Sequence, residues 1–382
     1  LDGFLTATPL TEIGIDARLD MRPGHYQARR IRLRSGAGEF LARGTLTDQW
    51  NAEWRGQLPM LAGLWPDAAG ALRTTGRLRG PRAQPLIEAT LEGRDLRHLR
   101  ARMAELDATL TLDLQNRQDS QFELRAADLQ IMGLSLNRLR LHAAGRREEH
   151  DVTAVLVATE SQLAAAASGS LAASDWRGRV SRLTLDSRAL GRWNLAAPVN
   201  LAASRSAVQL ESLCWLHADA QLCAQGQWQR VAGWAASATA RKLPLALLQW
   251  LLPETARLSG AVDAELQAAA DAQGATTGRI QATLSPGALH YPGAREPVVI
   301  EYRGAQLRAI AAGRRITGDL SFDLADSGQL QAQYDLPWPA RAAPDQPLRG
   351  RLRADIRDLR PLSLVLPAID LARGRLAADL TL

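Results

Sequence analysis

Apolar and polar residues alternate with a period of two along nearly the whole chain. The pattern is carried by Ile31 and Leu33, by Leu110, Leu112 and Leu114, by Leu134 and Leu136, by Leu183 and Leu185, and by Val262, Ala264 and Leu266. It continues through Ile280, Ala282 and Leu284, through Val298, Ile300 and Tyr302, and through Leu320, Phe322 and Leu324. A period of two sends successive side chains to opposite faces, so each run predicts a strand with one face turned to water and one to an apolar space. Around Phe322, for example, Asp319, Ser321 and Asp323 take the wet face while Leu320, Phe322 and Leu324 take the other. Breakers such as Ser35-Gly36-Ala37-Gly38, Ser285-Pro286-Gly287 and Asp326-Ser327-Gly328 punctuate the runs, which is the pattern of antiparallel hairpins.

Three short stretches depart from this period and resemble one another: Leu58 to Trp65, Leu243 to Trp250, and Leu359 to Leu366. The first two keep the same offset from proline to tryptophan, and proline suits a first helical turn because its missing N–H has no partner there. Each predicts a short capping helix, followed by a glycine (Gly76, Gly260, Gly374) and a new alternating run. A second recurrent piece precedes the first two: Gly44-Thr45-Leu46 leading to Trp50 and Trp54, and Gly226-Gln227-Trp228 leading to Trp234, with Gly169-Ser170-Leu171 leading to Trp176 as a variant. Such repetition points to architecture, with tryptophan capping sheet ends or filling bends. Residues 1–382 thus read as one continuous repetitive region, with related units at approximately 36–93, 165–270 and 340–382.

Composition narrows the function classes. With 46% hydrophobic and 23% charged residues, the 382-residue chain has the profile of a folded protein. No run approaches the roughly 18 to 20 apolar residues that cross a bilayer, and Leu1 follows no signal region, so the chain reads as an internal piece of a longer one. Net charge is +6 and the basic side is nearly all Arg, Lys242 being the one lysine. The arginines are interspersed with Asp and Glu and aromatic residues are only 5%, so solvated strand faces are expected, and no nucleic-acid partner. The histidines at 25, 98, 142, 150, 217 and 290 lack metal-ligand spacing, and there is no HExxH, GxSxG or P-loop. Neither an enzyme, a metal nor a cofactor is expected.

Cys214 and Cys223 are the only cysteines. Buried thiols, a metal pair and a disulfide are the three readings, and His217 alone would leave a zinc site incomplete. With Ala218-Asp219 as a two-residue turn, His217 faces Ala220, Leu216 faces Gln221, Trp215 faces Leu222, and Cys214 faces Cys223. Counting outward makes this a non-hydrogen-bonded pair, at the short end of disulfide spacing. A cross-strand disulfide is therefore expected, and with it an oxidising compartment.

The succession Leu183-x-Leu185, Gly191-Arg192-Trp193, Pro198-Val199-Asn200-Leu201, Leu213-Cys214-Trp215, Leu222-Cys223 and Gly226-Gln227-Trp228 before Leu243-Pro244-Leu245 resembles the middle of the TamB family. The resemblance is specific mainly between Leu183 and Leu289. It implies an all-β fold, a long antiparallel sheet curled into an open apolar groove or half-pipe with a few short capping helices. It also implies a periplasmic location, with an inner-membrane anchor outside this piece, and an outer-membrane barrel partner of the TamA type bound through a region outside it. The implied roles are phospholipid transport and outer-membrane protein assembly.

The residues agree with a groove on three counts. Alternation persists without the long apolar runs of a sheet covered on both faces. The helical stretches are too few to cover so much sheet, and four Phe and four Tyr offer little to fill a wide interior. An apolar face left uncovered calls for an apolar occupant, phospholipid or another apolar cargo. Expected groove-lining residues are Leu110, Leu112, Leu114, Val262, Leu266, Ile280, Leu284, Leu320, Phe322 and Leu324. The alternative is a closed β-helix, a structural or adhesin-type domain with a dry packed interior.

Overall fold

The computed structural model describes residues 13–63, 67–99, 101–131, 134–247, 257–292, 297–337, 349–357 and 374–381. These residues form 27 strands, 24 of them in the long sheet and three in a small separate one, and all the pairings between them are antiparallel. A β-helix stacks its coils through parallel strands, so antiparallel pairing replaces that alternative. The chain divides into two compact units, residues 1–188 and 189–382.

The first unit is a meander of twelve strands, each bonded to the one before: β1 (Ile13–Arg22), β2 (His25–Ser35), β3 (Gly38–Leu46), β4 (Gln49–Leu58), β5 (Ala68–Pro81), β6 (Leu86–His98), β7 (Ala101–Asp113), β8 (Ser120–Ile131), β9 (Leu134–Gly145), β10 (His150–Val157), β11 (Ser161–Ala172) and β12 (Asp175–Ser187). Its turns are short where the sequence supplies the right residue. Gly24 (φ 76°) and Gly36 (φ 54°) take left-handed conformations that side chains resist, closing the β1–β2 and β2–β3 hairpins.

The second unit contains β13 (Gly191–Leu195), β14 (Val199–Ala203), β15 (Ala207–His217), β16 (Ala220–Gln229), β17 (Gly233–Pro244), β18 (Arg257–Leu258), β19 (Ala261–Ala270), β20 (Thr276–Leu284), β21 (Gly287–Pro292), β22 (Pro297–Tyr302), β23 (Gly304–Ala312), β24 (Arg315–Asp323), β25 (Gly328–Pro337), β26 (Arg349–Ile356) and β27 (Leu376–Thr381). The small sheet is β18, β21 and β22, excursions between consecutive strands of the main ladder. Well-buried side chains gather here: Leu245 is 2% exposed, Tyr302 3% and Ile300 7%. The Tyr302 hydroxyl donates to Ser259 O at 2.5 Å, and burial raises its pKa.

Two expected capping helices show no α-helix among their described residues. Leu58 ends β4 and residues 61–63 make one 3-10 turn. Leu243 and Pro244 end β17, paired with Val262 and Ala261, before a 3-10 turn at residues 245–247. A strand's last residue tolerates a proline without an N–H, which lets the ladder take Pro244. The third segment, 359–366, lies outside the described residues. Gly76 does not open a new run either; it lies inside β5.

Asp113 ties the β7–β8 connection. Its buried carboxylate accepts the backbone N–H groups of Gln115 (2.9 Å), Arg117 (3.0 Å) and Gln118 (2.9 Å). Burial alone would raise its pKa, but these donors and the Arg117 charge outweigh it and lower the pKa. A group with a depressed folded pKa stabilises above its unfolded pKa, and that contribution fades as pH falls through the folded value. We expect Asp113→Asn to cost about 2 kcal/mol near neutral pH and progressively less as the pH is lowered below the ordinary carboxylate range, read by urea titration of both proteins across an acid series.

Candidate functional site

In the first unit, one residue from each of the twelve strands forms a continuous cross-strand row: Ala17, Ile31, Ala42, Trp54, Gly76, Ala89, Leu110, Phe122, Ala143, Val152, Ala167 and Val180. Directly opposed residues of antiparallel strands share a face, so this row is wholly apolar from end to end. Leu110 is a member, and Leu112 joins the same face opposite Ile87. Leu114 lies just past the end of β7, where its backbone N–H bonds Pro85 O, so strand alternation does not orient it.

The second unit repeats the construction over ten strands, through Trp215, Leu222, Ala240, Ala264, Ala282, Leu307, Leu320, Ala332, Leu352 and Leu380. A second row beside it runs Leu243, Val262, Leu284, Ala305, Phe322, Leu330, Ala354 and Ala378. On its other side, Leu266 stands between Ala238 and Ile280. Register thus brings Val262, Leu266, Ile280, Leu284, Leu320 and Phe322 onto one face. Leu324 lies beyond β24, at the start of a 3-10 turn.

This face is shielded without being covered. Its side chains are mostly half-buried while their neighbours along each strand are exposed, as in β20 and β23. Among the described residues there is no α-helix to lie on it. Leu266 remains 43% exposed. Phe322 differs, because its ring meets that of Tyr302 at 5.5 Å between centroids.

The opposite face is ionic. Arg43 pairs with Glu53, Arg315 with Asp335 at 2.5 Å, Arg375 with Asp355 at 3.1 Å, and Asp379 with both Arg351 (2.7 Å) and Arg353 (3.1 Å). The two arginines hold the Asp379 carboxyl well below the usual range. Cys214 and Cys223 belong to this polar face, since Leu222 and Ala224 beside Cys223 belong to the apolar one. The β15–β16 hairpin has the register counted from a turn at Ala218-Asp219, and the two sulfurs are bonded with Cα atoms 4.0 Å apart. The bridge closes a short loop inside an already paired hairpin. Replacing both cysteines by serine should therefore lower stability by about 2 kcal/mol in chemical denaturation and leave the apolar face intact.

Tryptophan seats are a feature that periodicity alone does not disclose. The Trp54 ring occupies the space where a side chain at Gly76 would stand, and its Nε1 donates to Thr74 Oγ1 at 3.3 Å. The Trp176 ring uses Gly169 and Gly178 in the same way, with Nε1 donating to His150 Nε2 at 2.8 Å. The recurrent glycine–tryptophan pieces are these hairpins: Leu46 opposes Trp50, Leu171 opposes Trp176, and Trp228 opposes Trp234. The signal that could have found the seats is a glycine opposite the tryptophan, as Gly76 is to Trp54, or a glycine pair two residues along on the same face, as Gly169 and Gly178 are to Trp176.

Comparison with known families is decisive. The family model described as TamB, N-terminal domain, matches residues 14–382. The chain belongs to the TamB family. The match extends the likeness far beyond Leu183–Leu289, and places it in the N-terminal domain of TamB where the shorter succession pointed to the middle. No solved structure matches the chain. Membership associates this TamB chain with the translocation and assembly module and, through the family, with the TamA barrel. Among the described residues, no helix is long and apolar enough to cross a membrane, and no cluster of His, Cys, Asp and Glu is arranged to hold a metal.

Proposed function

We propose that the apolar face is a lipid path: the sheet curls around acyl chains or other apolar cargo and shields them between the inner and outer membranes. In this reading the chain is a periplasmic bridge that supports phospholipid transport and outer-membrane protein assembly. One observation carries the proposal, the unbroken apolar rows that run from strand to strand with no layer covering them among the described residues.

The energetics favour movement as well as binding. Each shielded methylene is worth about 0.8 kcal/mol, so one acyl chain gains on the order of 10 kcal/mol when fully sheltered and roughly half that against one face. Trapping is avoided because neighbouring strands, about 4.8 Å apart, offer nearly the same Leu, Ala, Val and Ile environment at each step. Many equivalent weak sites conduct where a single strong one would hold. Leu110, Leu112, Val262, Leu266, Ile280, Leu284 and Leu320 line the path in this reading, with Phe322 at its margin against Tyr302.

The test places a photocrosslinking amino acid at Leu266 and, as a control on the opposite face of the same strand, at Glu265. Irradiation in living cells should give phospholipid adducts from position 266 and few from 265. Equal labelling at both positions, or none at either, would defeat the proposal.

A further inference from the structure

A hollow of about 810 Å³ lies on the polar face of the first unit, across β2 to β7. From β3 onward each strand supplies two polar-face side chains flanking one apolar-face residue, so the hollow opens away from the proposed lipid path. Its lining holds six arginines (29, 30, 32, 43, 55 and 77) against two carboxylates, Glu53 and Glu88. Three hollows on the same face of the second unit carry no such excess: one has a single Arg and a single Glu, one a single Arg and a single Asp, and one three Arg against two Asp.

A β-bulge produces the crowding. Across β2 and β3, Ala28 pairs with Gly44 and the next pair is Ile31 with Ala42, so Arg29 and Arg30 both stand opposite Arg43. On the other side of β2, Arg30 directly opposes Arg18. Bulges re-aim side chains, and like charges placed opposite one another destabilise a sheet. Some of this charge is answered internally. Arg43 pairs with Glu53, and Arg32 lies 2.9 Å from Glu39 with Asp16 opposite it. Among the described residues, Arg29, Arg30, Arg55 and Arg77 form no ion pair.

We infer that this hollow binds a phosphate-bearing ligand, with Arg30 and Arg55 as its principal contacts. Guanidinium forks match phosphate oxygens two at a time, and the hydroxyls of Thr75 and Thr90, hydrogen-bonded to each other at 2.7 Å, leave one O–H donor on the same floor. The phosphate can belong to a soluble oligophosphate or to the headgroup of an anionic lipid. Either way the ligand sits on the face opposite the acyl path, so this site stands or falls independently of that proposal.

Calorimetry of the full chain with pyrophosphate at low ionic strength, and flotation with phosphatidylcholine vesicles with and without phosphatidylglycerol, separate the sources. Pyrophosphate binding that weakens with salt supports a soluble ligand. Flotation only with phosphatidylglycerol supports a headgroup. In whichever assay responds, Arg30→Gln with Arg55→Gln should weaken binding about tenfold or more, the paired lysine replacements less, and Arg279→Gln in the second unit not at all. The lysine pair keeps the test valid if the glutamine pair fails to fold. No binding in any arm, or an equal loss in Arg279→Gln, overturns the inference.

Discussion

Leu266→Asp is expected to stop lipid passage while the protein stays folded. Leu266 lies in mid-strand on the apolar face, between Ala238 and Ile280, and keeps 43% of its surface exposed. A carboxylate there finds water when the path is empty, so the loss of stability should be small, about 1 kcal/mol. An acyl chain moving over it would have to desolvate the charge. An aspartate at the centre of a membrane helix costs about 2.5 to 3.5 kcal/mol, which corresponds to roughly a hundredfold lower occupancy at that step. Phe322→Asp makes the contrast. Its ring packs against Tyr302, so it should lose both transport and stability, by about 3 kcal/mol. Lipid exchange between donor and acceptor vesicles, measured beside urea denaturation, checks both. Normal exchange by a folded Leu266→Asp protein would sink the lipid path.

The two faces are legible in the residues because a period of two needs only local counting, and cross-strand pairing preserves it from one strand to the next. Counting fails at bulges. In β15, Leu210 opposes Gly226 and Leu213 opposes Ala224, so a spacing of three keeps one face where plain alternation would switch it. Pairing also enlarges the arginine cluster. Arg29, Arg30 and Arg32 stand close together in the sequence with no acid among them, and strand pairing brings Arg43, Arg55 and Arg77 to the same hollow from three further strands. The short basic run in the sequence therefore understates the patch on the surface. Leu243 to Leu247 misleads for a different reason. Its leucine spacing suits a helix, but the ladder takes Leu243 and Pro244 into β17.

A glycine inside a strand misleads when it is taken for a breaker, and Gly76 offers the second large expected effect. Gly76 lies directly opposite Trp54 in the apolar row, and a Cβ built on it falls among the atoms of the indole ring. The ring has little freedom to retreat while Nε1 bonds Thr74 Oγ1, which in turn donates to Thr90 O at 2.9 Å. Gly76→Val should therefore displace the indole, breaking that chain and exposing the ring, at a cost of about 3 kcal/mol. Trp54→Ala alone should cost about 2 to 3 kcal/mol through lost contact on a half-buried face. The two changes remove the same contact, so they should not add. Valine suits a strand once the ring is gone, and the double variant should be at least about 2 kcal/mol more stable than the sum of the single losses predicts. Equilibrium unfolding of the four proteins measures this coupling directly. Strict additivity would mean that Gly76 is a glycine for some reason other than seating Trp54, and the same doubt would then extend to Gly169 and Gly178 beneath Trp176.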